Sequence, residues 1–204
     1  MTIYALKPRF QALLRPLAAA LARGGITANQ ITVAACVISV AVGAFVASRA
    51  PFHTPFLLIP LWMPMRMALN ALDGMLAREF GQQSRLGAFL NELGDVIADA
   101  ALIMPFALLP PFAPGWVVAV ILLATLTEFA GVLGPLAGAS RRYDGPMGKS
   151  DRAFAFGALG LWIGAGGLLP DWSALVMPAL CALLALTVVN RVRRALAEPA
   201  RTAR

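Results

Sequence analysis

The chain has 204 residues, 59% of them apolar and 13% charged, with a formal net charge of +7; its mean hydropathy is +0.75 and its pI about 10.7. A soluble domain carries about 25% charged residues, so these values exclude a disordered tail, a coiled coil and an ordinary cytosolic enzyme. The apolar residues run in blocks long enough to cross a bilayer at roughly 20 residues per helix, which predicts an integral membrane protein of one domain.

Residues 1–25 mix Lys7, Arg9, Arg15 and Arg23 with Phe10, Leu13, Leu14, Leu17 and Leu21 at helical spacing. That pattern predicts an amphipathic helix lying in the membrane interface. A signal peptide is excluded, because its apolar core would run only from Pro16 to Ala22 with Arg23 directly behind. Gly24-Gly25 breaks this helix, and Thr27 or Asn29 can cap the next.

From there the sequence predicts six spans, at about 31–48, 55–77, 86–109, 115–138, 153–169 and 172–190. Turn chemistry separates them at Pro51, Pro110-Pro111, Pro114-Gly115, Gly145-Pro146 and Pro170-Asp171. The expected fold is all-α and integral to the membrane: an interfacial helix (1–25), a six-helix membrane domain (26–190) and a basic tail (191–204). Of the 17 lysines and arginines, only Arg49 falls in a loop assigned to the outside. The positive-inside rule therefore puts both termini in the cytoplasm. The same placement, between apolar blocks and without interleaved aromatics, marks the basic residues as topology signals rather than a nucleic-acid surface.

An ionised side chain at mid-bilayer costs about 2.5–3.5 kcal/mol on insertion scales. Spans two and three nevertheless carry Arg66, Asp73, Arg78, Glu92, Asp95 and Asp99 besides Asn70 and Asn91. Asn70 and Asp73 are three apart, and Asn91, Asp95 and Asp99 run in steps of four, so each set shares one helical face. Two antiparallel helices joined by a short turn bring those faces together in a polar cavity open to the cytosol. Converging hard oxygen ligands suit Mg²⁺, Mn²⁺ or Ca²⁺. Gly74 and Ala77, with Gly87 on the facing helix, leave room for a flat ligand, and Arg78 can pair with a phosphate.

The run Asn70-x-x-Asp73-Gly74-x-x-Ala77-Arg78, eight residues, then Gly87-x-x-x-Asn91-x-x-x-Asp95 resembles the signature of the CDP-alcohol phosphotransferase family. That pattern reads D-x-x-D-G-x-x-A-R-x8-G-x-x-x-D-x-x-x-D, and every spacing is kept. The resemblance implies a transferase of phospholipid synthesis in a bacterial-type inner membrane. It moves a phosphatidyl or related group from a CDP-activated donor, such as CDP-diacylglycerol, to an alcohol and releases CMP. It further implies Mg²⁺ or Mn²⁺ on Asn70, Asp73, Asn91 and Asp95, with Asp95 as the general base. Asp73, Gly74, Ala77, Arg78 and Gly87 match positions around the nucleotide, and a homodimer is implied.

The first and third family aspartates are Asn70 and Asn91 here, which lowers the formal charge of the four-ligand set from −4 to −2. Glu92 points about 100° away from Asn91 around the helix, so Asp99 is the better candidate for a compensating ligand. A lineage that kept the pocket as a lipid- or nucleotide-binding protein without turnover is the rival. A small transporter is a further class, opposed by the clustering of the acids near one face.

The segment Arg141 to Arg152 predicts a basic loop before span five. Arg141, Arg142, Lys149 and Arg152 are candidates for binding a phosphate or acceptor, with topology and attraction to anionic lipid as the plain alternative; Arg66, one turn before Asn70, either salt-bridges to the acid cluster or binds phosphate. A nucleotide P-loop fails there because Tyr143 stands where its first glycine is needed. Glu128 reads as a protonated or paired acid between helices, with a place in the polar cavity or acceptor pocket as the functional alternative. Cys36 and Cys181 read as packing residues, and His53 as an outer-loop residue. Gly134-x-x-x-Gly138 and Gly160-x-x-x-Gly164 permit close helix approach.

Overall fold

A computed structural model describes residues 6–50 and 52–198, with side chains from residue 10 onward. Residues 1–5, Pro51 and 199–204, and with them the expected break at Pro51 and the tail residues Arg201 and Arg204, lie outside the described residues, as do the Lys7 and Arg9 side chains. The helices are α1 (Leu6–Arg23), α2 (Ala28–Ser48), α3 (Leu58–Glu79), α4 (Arg85–Ile103), α5 (Pro114–Leu136), α6 (Lys149–Gly164) and α7 (Val176–Ala197). Short 3-10 turns at Thr54–Leu57, Met104–Leu108 and Asp171–Leu175 lengthen α3, α4 and α7. Among the described residues there is no strand.

The six expected apolar segments each hold a helix. Four of these are long and apolar enough to cross a membrane: Ala28–Ser48, Thr54–Glu79, Pro114–Leu136 and Asp171–Ala197. The other two differ for plain reasons. Arg85, Glu92, Asp95 and Asp99 interrupt α4, and α6 has 16 residues. Several boundaries depart from expectation, among them the end of α6 at Gly164 rather than 169. The α-helical part of span three stops at Ile103, before Pro105, which has no amide hydrogen to donate. Lys149 to Arg152 form the first turn of α6 rather than a loop, because the Asp151 carboxylate accepts the Gly148 amide at 2.9 Å. Arg191 to Ala197, expected as tail, continue α7.

Thr27, not Asn29, caps α2: its hydroxyl accepts from the Gln30 amide, and the Gln30 side chain accepts from the Thr27 amide at 2.9 Å. The chain reaches that cap through Gly25, whose φ of 77° suits glycine. One face of α1 (Leu14, Ala18, Leu21) packs on Ile31, Leu72, Met75 and Leu76. Leu13 and Leu17 on its other side stay exposed.

Lipid is as apolar as a leucine side chain, so helices in a membrane associate through close packing more than by escape from water. The contacts of α2 illustrate this: it packs along both α3 and α4, whose own backbones make few direct contacts. Gly43 and Gly94 let α2 and α4 approach, Gly43 against the Ala101 carbonyl and Gly94 against Cys36. Gly160 and Gly164 serve inside the same chain, against Phe56, Ile59 and Leu57. Phe106 anchors one end of the bundle, with its ring centroid 5.3 Å from Phe56 and 5.2 Å from Phe156. The opposite end gathers the polar side chains.

Replacing Gly43 by Leu drives a side chain into the Ala101 carbonyl. Overpacking of this kind costs about 1–3 kcal/mol. Thermal unfolding in detergent micelles should show a lower midpoint for G43L; an unchanged midpoint contradicts the close α2–α4 approach.

Candidate active site

The motif halves lie on α3 and α4, with α2 wedged beside both. The α3–α4 turn is sewn to the start of α2: Gln82 Oε1 accepts the Ala28 amide at 2.7 Å, and Asn29 donates to Ser84 Oγ at 3.4 Å. Ser84 caps α4 by accepting the Gly87 amide at 2.9 Å. A Cβ on Gly87 would lie 2.6 Å from Asn29 Oδ1 and 2.9 Å from Ser84 Oγ, so a side chain there would push those two polar groups aside. On α3, the Arg78 guanidinium lies over Gly74, where a Cβ would stand 2.8 Å from Nη2.

Side chains, rather than backbone contacts, bridge the space between α3 and α4. Asn70 Nδ2 donates to Asp95 Oδ1 at 3.3 Å, and Arg66 Nη2 reaches the same oxygen at 3.3 Å. Lys149, on the first residue of α6, donates to Asp95 Oδ2. Asp73 is buried and accepts from Thr32 of α2 at 2.8 Å.

Beyond Asp95 the charges continue inward. Arg66 pairs with Asp99 through Oδ1, while Arg152 Nε and Nη2 hold Asp99 Oδ2 at 3.0 and 2.9 Å. Arg152 also donates to Glu128 at 2.9 Å, and Glu128 meets Arg191 at 3.5 Å. The result is a chain of alternating sign: Lys149, Asp95, Arg66, Asp99, Arg152, Glu128 and Arg191. The Arg191 side chain is 2% exposed and that of Lys149 32%, so the chain opens toward solvent at the Asp95 end.

The segment between α5 and α6 is tied down by its own ion pairs. Arg141 binds both oxygens of Glu92 and lies over the Tyr143 ring. Arg142 pairs with Asp144 at 2.8 Å and with Glu198 at 2.7 Å, and the Ser140 hydroxyl donates to Glu198 at 2.7 Å. The hydrogen bonds from Ser140, then the Arg142 charge, hold the Glu198 carboxyl below the usual carboxylate range. Gly134 leaves room for the Ser140 carbonyl, and Gly145, at φ 125°, fits against Thr187.

Of the residues singled out from the sequence, Asn70, Asp95, Arg66 and Lys149 meet directly, and Asp99 and Arg152 join them through Arg66. Arg66 and Arg152 are each 3% exposed and paired with carboxylates. Glu128 is the paired acid expected of it. Thr32, Thr127 and Arg191 were not singled out. Thr127 Oγ1 accepts from Arg152 at 3.1 Å, and its carbonyl accepts from Arg191. The signal for Arg191 lay in spacing: Met177, Leu180, Leu184, Thr187 and Arg191 share one buried face of α7, so this arginine belongs to the core stripe.

The oxygens of Asp73, Asp95, Asn70 and Asn91 are hard donors of the kind that Mg²⁺ or Mn²⁺ prefers. Both Asp99 oxygens are engaged by guanidinium groups. Among the described residues no three histidine, cysteine or acidic side chains gather into a metal cage. Two of these donors, Asp73 and Asp95, are carboxylates, and the other two, Asn70 and Asn91, are neutral amides.

Residues 25–189 match the CDP-alcohol phosphatidyltransferase family, and the chain belongs to it. It is 46% identical over 196 residues to the inner membrane protein YnbA of Escherichia coli (strain K12), covering 96% of this chain and 97% of that one. It is also 31% identical over 103 residues to the archaetidylinositol phosphate synthase of Pyrococcus horikoshii, covering 50% of this chain and 52% of that protein. In fold it is similar to the Mycobacterium tuberculosis phosphatidylinositol phosphate synthase PgsA1. The TM-score is 0.74 to its form with CDP-DAG bound, at 21% identity, over 92% of this chain and 97% of that one. Against the complex with manganese and citrate the TM-score is 0.73, with 92% of each chain covered.

A carboxyl depressed in the folded state contributes stability above its unfolded pKa and loses it as pH falls through the folded value. Free glutamate ionises near pH 4.3, so the tether from Ser140 and Arg142 to Glu198 should hold at neutral pH and slacken well below pH 4.3. Hydrogen exchange in residues 137–148 should rise over that range beyond its intrinsic pH dependence, and Glu198→Gln should give the same loosening at pH 7. Equal protection in wild type and E198Q at pH 7 contradicts the tether.

Proposed function

We propose that the protein is a phospholipid-biosynthetic transferase. It moves a phosphatidyl or related phosphoryl-linked group from a CDP-activated donor, such as CDP-diacylglycerol, to an alcohol and releases CMP. The observation that carries this reading is the meeting of the two motif halves, with Asn70 on α3 bonded to Asp95 on α4 at 3.3 Å. Family membership and the likeness to a fold known with CDP-DAG bound support it.

In this reading Asp73, Gly74, Ala77, Arg78 and Gly87 receive the nucleotide, with the Arg78 guanidinium over Gly74 for a donor phosphate. Asn70, Asp73, Asn91 and Asp95 hold the divalent cation, Mg²⁺ or Mn²⁺, which neutralises pyrophosphate charge when bound. Asp95 takes the proton of the acceptor hydroxyl. The hydroxyl oxygen then forms its bond to phosphorus as the bond to CMP breaks, and CMP leaves with that electron pair. Lys149 stands on a flexible stem at the more exposed end of the ion chain, with its ammonium on Asp95 Oδ2. Asp99 positions Arg66, which in turn orients Asp95. Arg141, Arg142 and Lys149, each ion-paired in the structure, would exchange a carboxylate for the phosphate of a phosphorylated acceptor.

The same reading has α1 lying on the interface, six helices crossing an inner membrane, both termini in the cytoplasm, and a homodimer as the working unit. The rival reading, a pocket that binds nucleotide or lipid without turnover, is favoured by Asn70 and Asn91 alone.

The purified protein, given CDP-diacylglycerol, Mg²⁺ or Mn²⁺ and a panel of alcohols that includes phosphorylated polyols, should release CMP with at least one acceptor. A positioned base contributes about 10²–10⁴-fold, so Asp95→Asn should cut that release by at least about a hundredfold while the unfolding midpoint shows a folded protein. Release at wild-type rates by D95N removes Asp95 from the base role. Silence across the whole panel overturns the transferase reading.

A further inference from the structure

We infer that this site works with one divalent cation, the ammonium of Lys149 supplying at Asp95 the positive charge that a second cation would bring. The inference rests on the transferase reading above and deepens it. Holding two divalent ions side by side takes anionic oxygens that bridge them. Asn70 and Asn91 offer neutral amide oxygens, which leaves Asp73 and Asp95 as the carboxylates of the motif.

Neighbouring acids cannot make up the loss. Asp99 has one oxygen on Arg66 and the other on Arg152. Glu92 is bound through both oxygens by Arg141. Either would have to abandon a cation before it could bind a metal.

Asp95, in contrast, is supplied with positive charge by the protein itself. Lys149 holds Oδ2, while Arg66 and Asn70 share Oδ1. A lysine on the first residue of a helix faces the positive end of the helix dipole, a position that favours acids. Its contact with Asp95 offsets that penalty. A compact ammonium on a long stem acts as a point charge toward a carboxylate or phosphate, and its 32% exposure leaves it within reach of a substrate.

The test is a count of bound Mn²⁺ on the full-length protein in micelles, by the electron paramagnetic resonance signal of free Mn²⁺, with and without CMP. Wild type should saturate at one ion per chain under both conditions. Lys149→Met should bind that ion several-fold more tightly, because a neighbouring positive charge is gone, and Lys149→Arg should restore the wild-type affinity. The triple variant N70D/N91D/K149M should take up two ions. Two ions on wild type overturn the inference and leave the transferase reading standing. No bound ion overturns the inference and removes the divalent cation from that reading as well. Unchanged Mn²⁺ affinity in folded K149M shows that the lysine does not supply the charge.

Discussion

Alternating ion pairs running from Lys149 to Arg191 are the constraint against which the rest of the site is built. They link α3, α4, α5, α6 and α7, and each inner member of the series pairs with two opposite charges. Isolated, each buried ion would cost several kcal/mol of desolvation. Held between opposite charges with its hydrogen bonds satisfied, each offsets its neighbour's penalty, so the members are present together or not at all. Four cations face three anions, and the most exposed of the cations, Lys149, lies beside the residues proposed to receive a phosphorylated substrate.

That arrangement explains why α3 and α4 can stand apart and still cooperate. Small residues let α2 fill the space on one side, at Gly43 and Gly94. Long side chains from α3 then cross to α4, where Arg66 fixes Asp95 and Asp99 together. The side-chain bridges hold Asp95 in place across that separation. Lys149 and Arg66 both engage Asp95, one of the two carboxylates that stand with Asn70 and Asn91 in the run from residue 70 to 95.

Much of this was legible in the sequence, because its causes are local. Apolar blocks located the helices, the i, i+3 and i+4 spacings put Asn70 with Asp73 and Asn91 with Asp95 and Asp99, and Gly24-Gly25 marked the end of α1. What escaped notice has non-local causes. No periodicity links Thr32 to Asp73, since 41 residues separate them and only helix packing brings them together. Arg141, Arg142 and Lys149 read as a free basic loop because the acids that hold them, Glu92, Asp144, Glu198 and Asp95, come mostly from distant segments. Composition groups Arg191 with the basic tail, although it continues the apolar stripe of α7; a stripe that ends in a buried charge needs a partner that sequence spacing cannot name.

The most direct test is a double-mutant cycle on Asp99 and Arg152, read by unfolding free energy in micelles. Removing one member of a buried pair costs about 3–5 kcal/mol because the other is left unpaired. Asp99→Ala and Arg152→Ala should therefore each be strongly destabilising, and the double variant little worse than the more damaging single one. Losses that simply add would contradict a coupled chain of charges at the centre of the molecule.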